Sequence, residues 1–538
     1  MVQAPEQANP FNPNTRINQG YHQLMIESLF YLNYESGKAD PWLATSADYN
    51  KDFTQVDIKV RPGVEWSDGQ PFTADDVAFT LNMLRGPNAT GLAYGPEMQK
   101  FVKEAVAVDK QTARVTLTEP YPRFIFNNFT VHIWGAVRIV PKHIWDGQDP
   151  LKFSNFDMSK GWPIWTGPYR LIKAGASEFD YDRRDDWWAT KTGFHALPAP
   201  ERVVFVDAGT EEKKAAALQA NQVDAQPSLA PDLFIKVKEA NPNAIGWTDM
   251  EPYTWIDPCP PEFGINNEVA PWNDPDMRWA VNYAIDKQKI ADATSFGHGQ
   301  LARYNFPAYP PLNKLLDENA DLFQKYPTTT YDPGKSKSIF ESKGYKLGSD
   351  GVYAKDGQRL QVDLLTISTS ITQSTVPVLL ANLKAVGIDV QPSGVAETQF
   401  HERRYSGDYV FECGPHVACG SVVDPYAELN LTHSQWILPK GQRRSTNQWG
   451  YKNPDYDKIV DQVRLTQPGD PAIDKLFSQA LEMRLRDLPF FNLAQQLRVV
   501  PYSTKYWTNW PTAKNNYIHP PNWWMTSLQL FINIKPAA

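Results

Sequence analysis

The stretch EWSDGQPFTADDVAFTLNML, Glu65 to Leu84, constrains the fold of this chain more than any other segment. Ser67-Asp68-Gly69 is turn chemistry, and Gly69 supplies a backbone conformation that other residues resist. Thr73 follows as an N-cap, with Asp75 and Asp76 facing the positive end of the helix dipole. Val77, Phe79, Leu81 and Leu84 follow helical spacing closely enough to bury one face. The unit reads as strand, turn, helix.

At 538 residues the chain exceeds one compact core, so two or three domains are expected. A net charge of -8 gives no basic footprint for nucleic acid. No run approaches the ~18 consecutive apolar residues of a membrane-spanning helix, and no Lys/Arg-rich segment marks a membrane surface. The start, MVQAPEQANPFNPN, lacks the charged-then-apolar pattern of a secretion signal. Three cysteines do not make a disulfide framework, although one bridge remains open.

The aromatic content is the most informative total, because 18 Trp stand beside 24 Tyr and 26 Phe. Several occupy polar or Pro-rich settings: Trp162 and Trp165, Trp436 in HSQWILP, Trp449 in TNQWGY, and Trp523 and Trp524 in PPNWWM. Any one of them can be a packing or loop-anchoring residue. Together they suggest platforms for flat ligands, and the apolar C–H faces of sugar rings stack on such platforms.

Along the chain, a helix is expected from about Gly20 to Phe30, and FTQVDIKVRPGVEW reads as a strand pair. VKEAVAVDKQTARVTLTEP reads as a hairpin broken at Asp109-Lys110. RVVFVDAG reads as a short buried strand, and TEEKKAAALQANQVDAQ as a helix closed by Asn221, which together suggest an α/β layer. The Pro-rich WIDPCPPEFGINNEVAPWNDP looks like a crossing between domains. Asp274 and Pro275 open a strong helix over DPDMRWAVNYAIDKQKIADAT. LQVDLLTI, TVPVLLANLKAVG and IDVQPSG form a β–α–β unit, and NPDYDKIVDQVRLT and PAIDKLFSQALEMRLRDL are two further helices. Aromatic strands and loops close the chain.

In this order, four blocks resemble the solute-binding proteins of bacterial ABC importers, in the large class (family 5) that takes peptides, nickel complexes and oligosaccharides. They are WSDGQPFTADDVAFTLNML, TGPYRLIKAG, FGINNEVAPWNDPDMRWAVNYAIDKQKI, and YKNPDYDKIVDQVR with LRDLPFFNLAQQ. The resemblance implies an α/β, periplasmic-binding-protein-like fold: two large mixed lobes joined by a hinge, plus a small inserted α+β domain. Lobe I would comprise 1–45, 161–264 and 500–538, the inserted domain 46–160, and lobe III 265–499. Ligand would bind in the cleft between lobes I and III, which would close around it and present it to a permease. The family is extracytoplasmic, so a signal segment is expected to have been removed, and a monomer is the family's expectation.

In peptide-binding members an aspartate three residues before an Asp-Pro anchors the ligand's amino group. Here Asp424-Pro425 is present, but the position three before it is Ser421. A buried ammonium needs a charged partner, so Asp408, Glu412 or Asp424 would have to substitute. An oligosaccharide needs no fixed charge, only stacking faces and hydroxyl partners. An oligosaccharide or glycoside is therefore the favoured ligand, and a peptide or opine-like amino compound the alternative. The candidate contacts are Asn18, Gln19, Tyr21 and His22 in NTRINQGYHQ, with Trp436, Trp449, Trp523 and Trp524. Trp42, Trp66 and Trp279 fall within scaffold blocks and read as packing residues.

The run CGPHVAC sets Cys413, His416 and Cys419 at ligand-like spacing, but a metal would need a fourth donor and deprotonated thiolates. A Cys413–Cys419 disulfide is the simpler account in an oxidising compartment, which leaves Cys259 unpaired unless it bridges to one of the two; free thiols remain the other reading. A glycoside hydrolase is the rival class and needs two carboxylates roughly 5–10 Å apart. No G-x-S-x-G, H-E-x-x-H or P-loop pattern occurs. No cofactor or metal is expected.

Overall fold

The structure, a computed structural model, describes residues 6–12, 21–34, 36–131, 136–295, 297–368, 374–415, 419, 422–444, 446–521 and 525–538. The side chains of Tyr21 and His22 lie outside that description. The chain divides into two compact units, Met1–Trp255 with Val499–Ala538, and Ile256–Arg498.

In the first unit, β1 (Ala44–Tyr49), β2 (Gln55–Val60), β3 (Val102–Ala107) and β4 (Thr112–Leu117) form an antiparallel sheet of order β1-β2-β4-β3. Alternation of buried with partly buried or exposed residues along β2 and β4 turns one face toward the core. Helix α1 (Ala74–Leu84) packs on this sheet through Val77, Leu81 and Leu84, all fully buried. Its start is a capping box. The Asp75 amide donates to Thr73 Oγ1 (3.3 Å), and the Thr73 amide donates to Asp76 Oδ2 (2.9 Å).

Asp76 does more than cap. Its carboxylate also accepts from Trp66 Nε1 (3.4 Å) and the Lys142 amide (2.9 Å), so it pins the preceding turn and a distant segment to one helix end. Gly69, at φ +83°, turns the chain between them. The opening stretch is thus scaffold.

The segment after residue 160 departs from the expected α/β layer. β5 (Tyr169–Ala174), β6 (Glu178–Arg183) and β7 (Arg202–Val206) form an antiparallel sheet in chain order. β7 is an edge strand, not a buried one, and it leaves Val204 and Val206 45% and 49% exposed. The helix expected over Gly20–Phe30 is a 3-10 turn, Tyr21–Leu24, followed by a strand, Phe30–Leu32. That strand pairs with Ala39–Pro41, and pairing of a buried apolar run outweighs local helix propensity. The chain end, expected as strands and loops, contains a helix, Ser527–Asn533, which buries Leu528, Leu530 and Ile532.

The second unit is built on a mixed sheet of β8 (Pro261–Ile265), β9 (Gln361–Ile367), β10 (Asp389–Val395), β11 (Phe411–Pro415) and β12 (Phe490–Asn492), in the order β10-β9-β11-β8-β12. β9 runs parallel to β10 and β11, whereas β8 is antiparallel to β11 and β12. β8 is buried at every position, as a central strand covered on both faces must be. Helix α2 (Pro275–Ala284) is capped by Asp274, whose side chain accepts from the Asp276 amide (2.9 Å). The helical segment expected to run on from it breaks at Ile285 and restarts as α3 (Lys287–Thr294). Helices α4 (Val376–Ala385) and α5 (Glu397–Ser406) follow β9 and β10, and α6 (Pro454–Leu465) packs with α7 (Ala472–Asp487).

Candidate functional site

In the first unit, Asn18, Gln19, Trp523 and Trp524 lie outside the described residues, and Tyr21 and His22 are placed by backbone only. The segments that carry them nevertheless share a neighbour. Arg138, fully buried, donates from Nη2 to Gln23 Oε1 (2.9 Å) and sits 3.9 Å from Met525 Sδ. It also donates to Ser28 Oγ. Gln23 is one residue beyond His22, and Met525 one beyond Trp524.

Arg138 Nε has no hydrogen-bond acceptor, and no carboxylate pairs with this guanidinium among the described residues. Burial lowers its pKa, and only the phenols of Tyr31 and Tyr94 act in the other direction. A buried cation left to neutral partners is costly, and a donor fork of this kind suits ligand hydroxyls or an acid group. Sequence reasoning missed it, because a lone Arg in VRIVP carries no pattern.

The tryptophans read as packing residues are buried. Trp42 donates to Glu27 Oε1 (2.8 Å), Trp66 to Asp76, and Trp279 to the carbonyls of Leu485 and Arg486 (3.1 Å each).

In the second unit, Trp436 ends a 3-10 turn, Ser434–Trp436, and is half-buried, with Nε1 donating to Asn430 Oδ1 (3.2 Å). Trp449 lies in the core, where its loop context had put it facing ligand. It is fully buried, and its ring is stacked on Phe490 with centroids 3.7 Å apart and planes at 6°. A flat face already covered by Phe490 is closed to a sugar.

The three carboxylates that could have replaced the missing aspartate are all engaged. Asp424 Oδ1 accepts from the amide of Tyr426 (2.8 Å), the first residue of a short helix, Tyr426–Asn430. Asp408 is exposed, 3.5 Å from Arg403. Glu412 is fully buried 3.1 Å from Arg404, which also pairs with the equally buried Glu262. The Gln448 amide group faces the same guanidinium at 2.8 Å. Ser421 and His416 lie outside the described residues.

The expected Cys413–Cys419 bridge is not formed. Cys259 is bonded to Cys419, with Cα atoms 4.5 Å apart, and Cys413 is a buried free thiol. Sheet register explains the change. Cys413 sits opposite Phe263 in the β8–β11 ladder with its side chain in the core, which leaves Cys259 and Cys419, both beyond the Pro261–Pro415 end of that ladder, to pair with each other. Among the described residues no group of three His, Cys, Asp or Glu side chains could hold a metal.

Comparison with known proteins agrees with this architecture. The family model for bacterial extracellular solute-binding proteins, family 5, matches residues 38–432. The nickel-binding periplasmic protein of Escherichia coli K12 is 26% identical over 476 residues, covering 86% of this chain and 82% of its own. The periplasmic oligopeptide-binding protein OppA of Salmonella typhimurium is 25% identical over 532 residues, covering 92% and 87%. A periplasmic oligopeptide-binding protein of a Thermotoga maritima ABC transporter superposes with a TM-score of 0.86 at 24% identity, covering 100% of this chain and 98% of its own. A second structure of that protein, with mannohexaose bound, gives 0.80 at 23% identity, covering 100% and 97%. The matched span, together with the mixed α/β units, places the chain among the bacterial extracellular solute-binding proteins of family 5, which are non-enzymatic substrate-binding components of ABC transporters.

Proposed function

We propose that this binding protein captures an oligosaccharide or glycoside in the periplasm, or on an extracellular surface, and delivers it to the transmembrane subunits of an ABC importer. The observation that carries the reading is the state of the acidic residues near Asp424-Pro425. Asp408, Glu412 and Asp424 each already serve an arginine or a helix end. Glu412 and Asp424 are buried and already held, by Arg404 and at a helix start, so turning either toward a ligand ammonium would give up a contact in a buried setting, and Asp408 is exposed beside Arg403, which also pairs with Asp363 (2.9 Å). A neutral polyhydroxyl ligand makes no such demand.

Two further points support it. One solved relative of the same fold holds mannohexaose, and Gln23 and Met525, which contact Arg138, are the sequence neighbours of His22 and Trp524. Ligand contacts are assigned to Asn18, Gln19, Tyr21, His22, Arg138, Trp436, Trp523 and Trp524, with Trp449 supporting from the core. The alternative is an oligopeptide or opine-like amino compound, favoured by relatives named for peptide binding. Isothermal titration against a panel of oligosaccharides and short peptides separates the two. Saturable heat from a sugar class with silent peptides supports the proposal, and the reverse pattern removes it.

A further inference from the structure

A second polar site lies wholly within the second unit. Lys287, Tyr304, Asn305, Thr328, Arg484 and Asn492 line an internal cavity of about 10 Å³, room for one water-sized body. Each of these six side chains is at least nine-tenths buried. The groups left without a partner there are mostly donors. Arg484 Nε and Asn492 Nδ2 have no acceptor, and the Tyr304 hydroxyl has no partner. Lys287 Nζ gives two of its N–H bonds to Asn282 Oδ1 (2.5 Å) and the Thr328 carbonyl, so one remains.

The charges are equally one-sided. Among the described residues Lys287 has no carboxylate partner, and its ammonium lies over the face of Phe491 at 4.3 Å. Arg484 faces one acid, Glu428, at 3.7 Å. Arg303, at the rim, is paired with Asp317 (2.7 Å). Among the described residues, two buried cations thus stand against one buried carboxylate, which faces Arg484.

We propose that this cavity is a binding site for a single monovalent halide, chloride in the cell. A water molecule accepts from only two of the waiting donors and brings two more protons into a lining already rich in donors. A halide accepts from all of them and cancels the surplus positive charge. Burial alone pushes Lys287 down to about 7, the response of an ammonium lacking such a counterion. The site bears on the neighbouring packing, because the Arg484 guanidinium lies 4.7 Å from the Phe490 ring on which Trp449 is stacked. A bound anion would thus brace β12 and, through Phe490, the Trp449 ring.

The test is thermal unfolding of the full chain across a chloride or bromide series, with gluconate holding ionic strength constant. The site predicts a Tm that climbs with halide as the logarithm of its concentration above Kd. That climb should be lost in Lys287→Met and weakened in Tyr304→Phe, the second variant serving if the first fails to fold. A bromide-soaked crystal should show an anomalous peak between Lys287, Arg484 and Asn492. A flat halide series, a climb that survives in both variants, or a non-anomalous water in the cavity would each overturn the assignment.

Discussion

Cys259 and Cys419 are joined across 160 residues of sequence, tying the segment ahead of β8 to the loop that leads to Asp424-Pro425. A link of that span removes much of the freedom of the unfolded chain. Its loss through Cys259→Ser with Cys419→Ser is expected to cost roughly 2–5 kcal/mol. Thiol titration of the denatured protein should find one group without reductant, that of Cys413, and three with it. A peptide map linking Cys413 to Cys419 would contradict the register argument.

His519 gives the protein an acid limit. Its ring is buried and stacked on Tyr34 at 3.7 Å, and burial pushes its pKa down to about 3. The folded value lies below the unfolded one of roughly 6.5. Its contribution is therefore complete above pH ~6.5 and drains away as pH falls toward 3, by roughly 4–5 kcal/mol in all. His519→Gln should flatten the pH–stability curve in that window. A slope unchanged by the substitution would place the acid limit elsewhere.

Arg404 is the countercharge of Glu262 and Glu412, all three fully buried. Arg404→Met should cost about 3–5 kcal/mol at neutral pH, because two buried carboxylates lose the guanidinium they share. Chemical denaturation measures it. The deficit should shrink as pH is lowered and the carboxylates protonate; a constant deficit would mean that lost packing, not charge, is responsible.

Arg138 should behave in the opposite sense. Among the described residues its guanidinium has no carboxylate partner, so Arg138→Met is expected to leave ligand-free Tm unchanged or raised. Affinity should fall by roughly ten- to a hundredfold if it donates to ligand, the range of a charged hydrogen bond. A parallel loss of Tm and affinity would mark it as purely structural.

Much of the scaffold could be read from local chemistry. The Thr73–Asp76 capping box, the Asp274 cap and the β9–α4–β10 unit are each set by residues a few positions apart. The misreadings arise where distant pairing decides. Phe30–Leu32 becomes a strand because Ala39–Pro41 pairs with it, and Val204 and Val206 lie open because β7 has no outer neighbour. The disulfide joins positions 160 residues apart while the β8–β11 ladder keeps Cys413 in the core, which spacing within CGPHVAC could not reveal. Trp449 looked like a platform from its polar loop, yet Phe490, 41 positions later, covers it. Arg138 gained interest only once its surroundings proved to be neutral.

The central claim is ligand class, and a thermal-shift screen of the purified protein against oligosaccharides, short peptides and divalent metals tests it most directly. A ligand bound only by the folded protein must raise Tm by mass action, by about 2.7 kcal/mol of added stability at a hundred times Kd. The account predicts a rise with one class of oligosaccharide, reduced in Trp436→Ala, and none with peptides. A rise with peptides alone would mean that one of Asp408, Glu412 or Asp424 does release its partner to hold an amine, and the oligosaccharide assignment would fall.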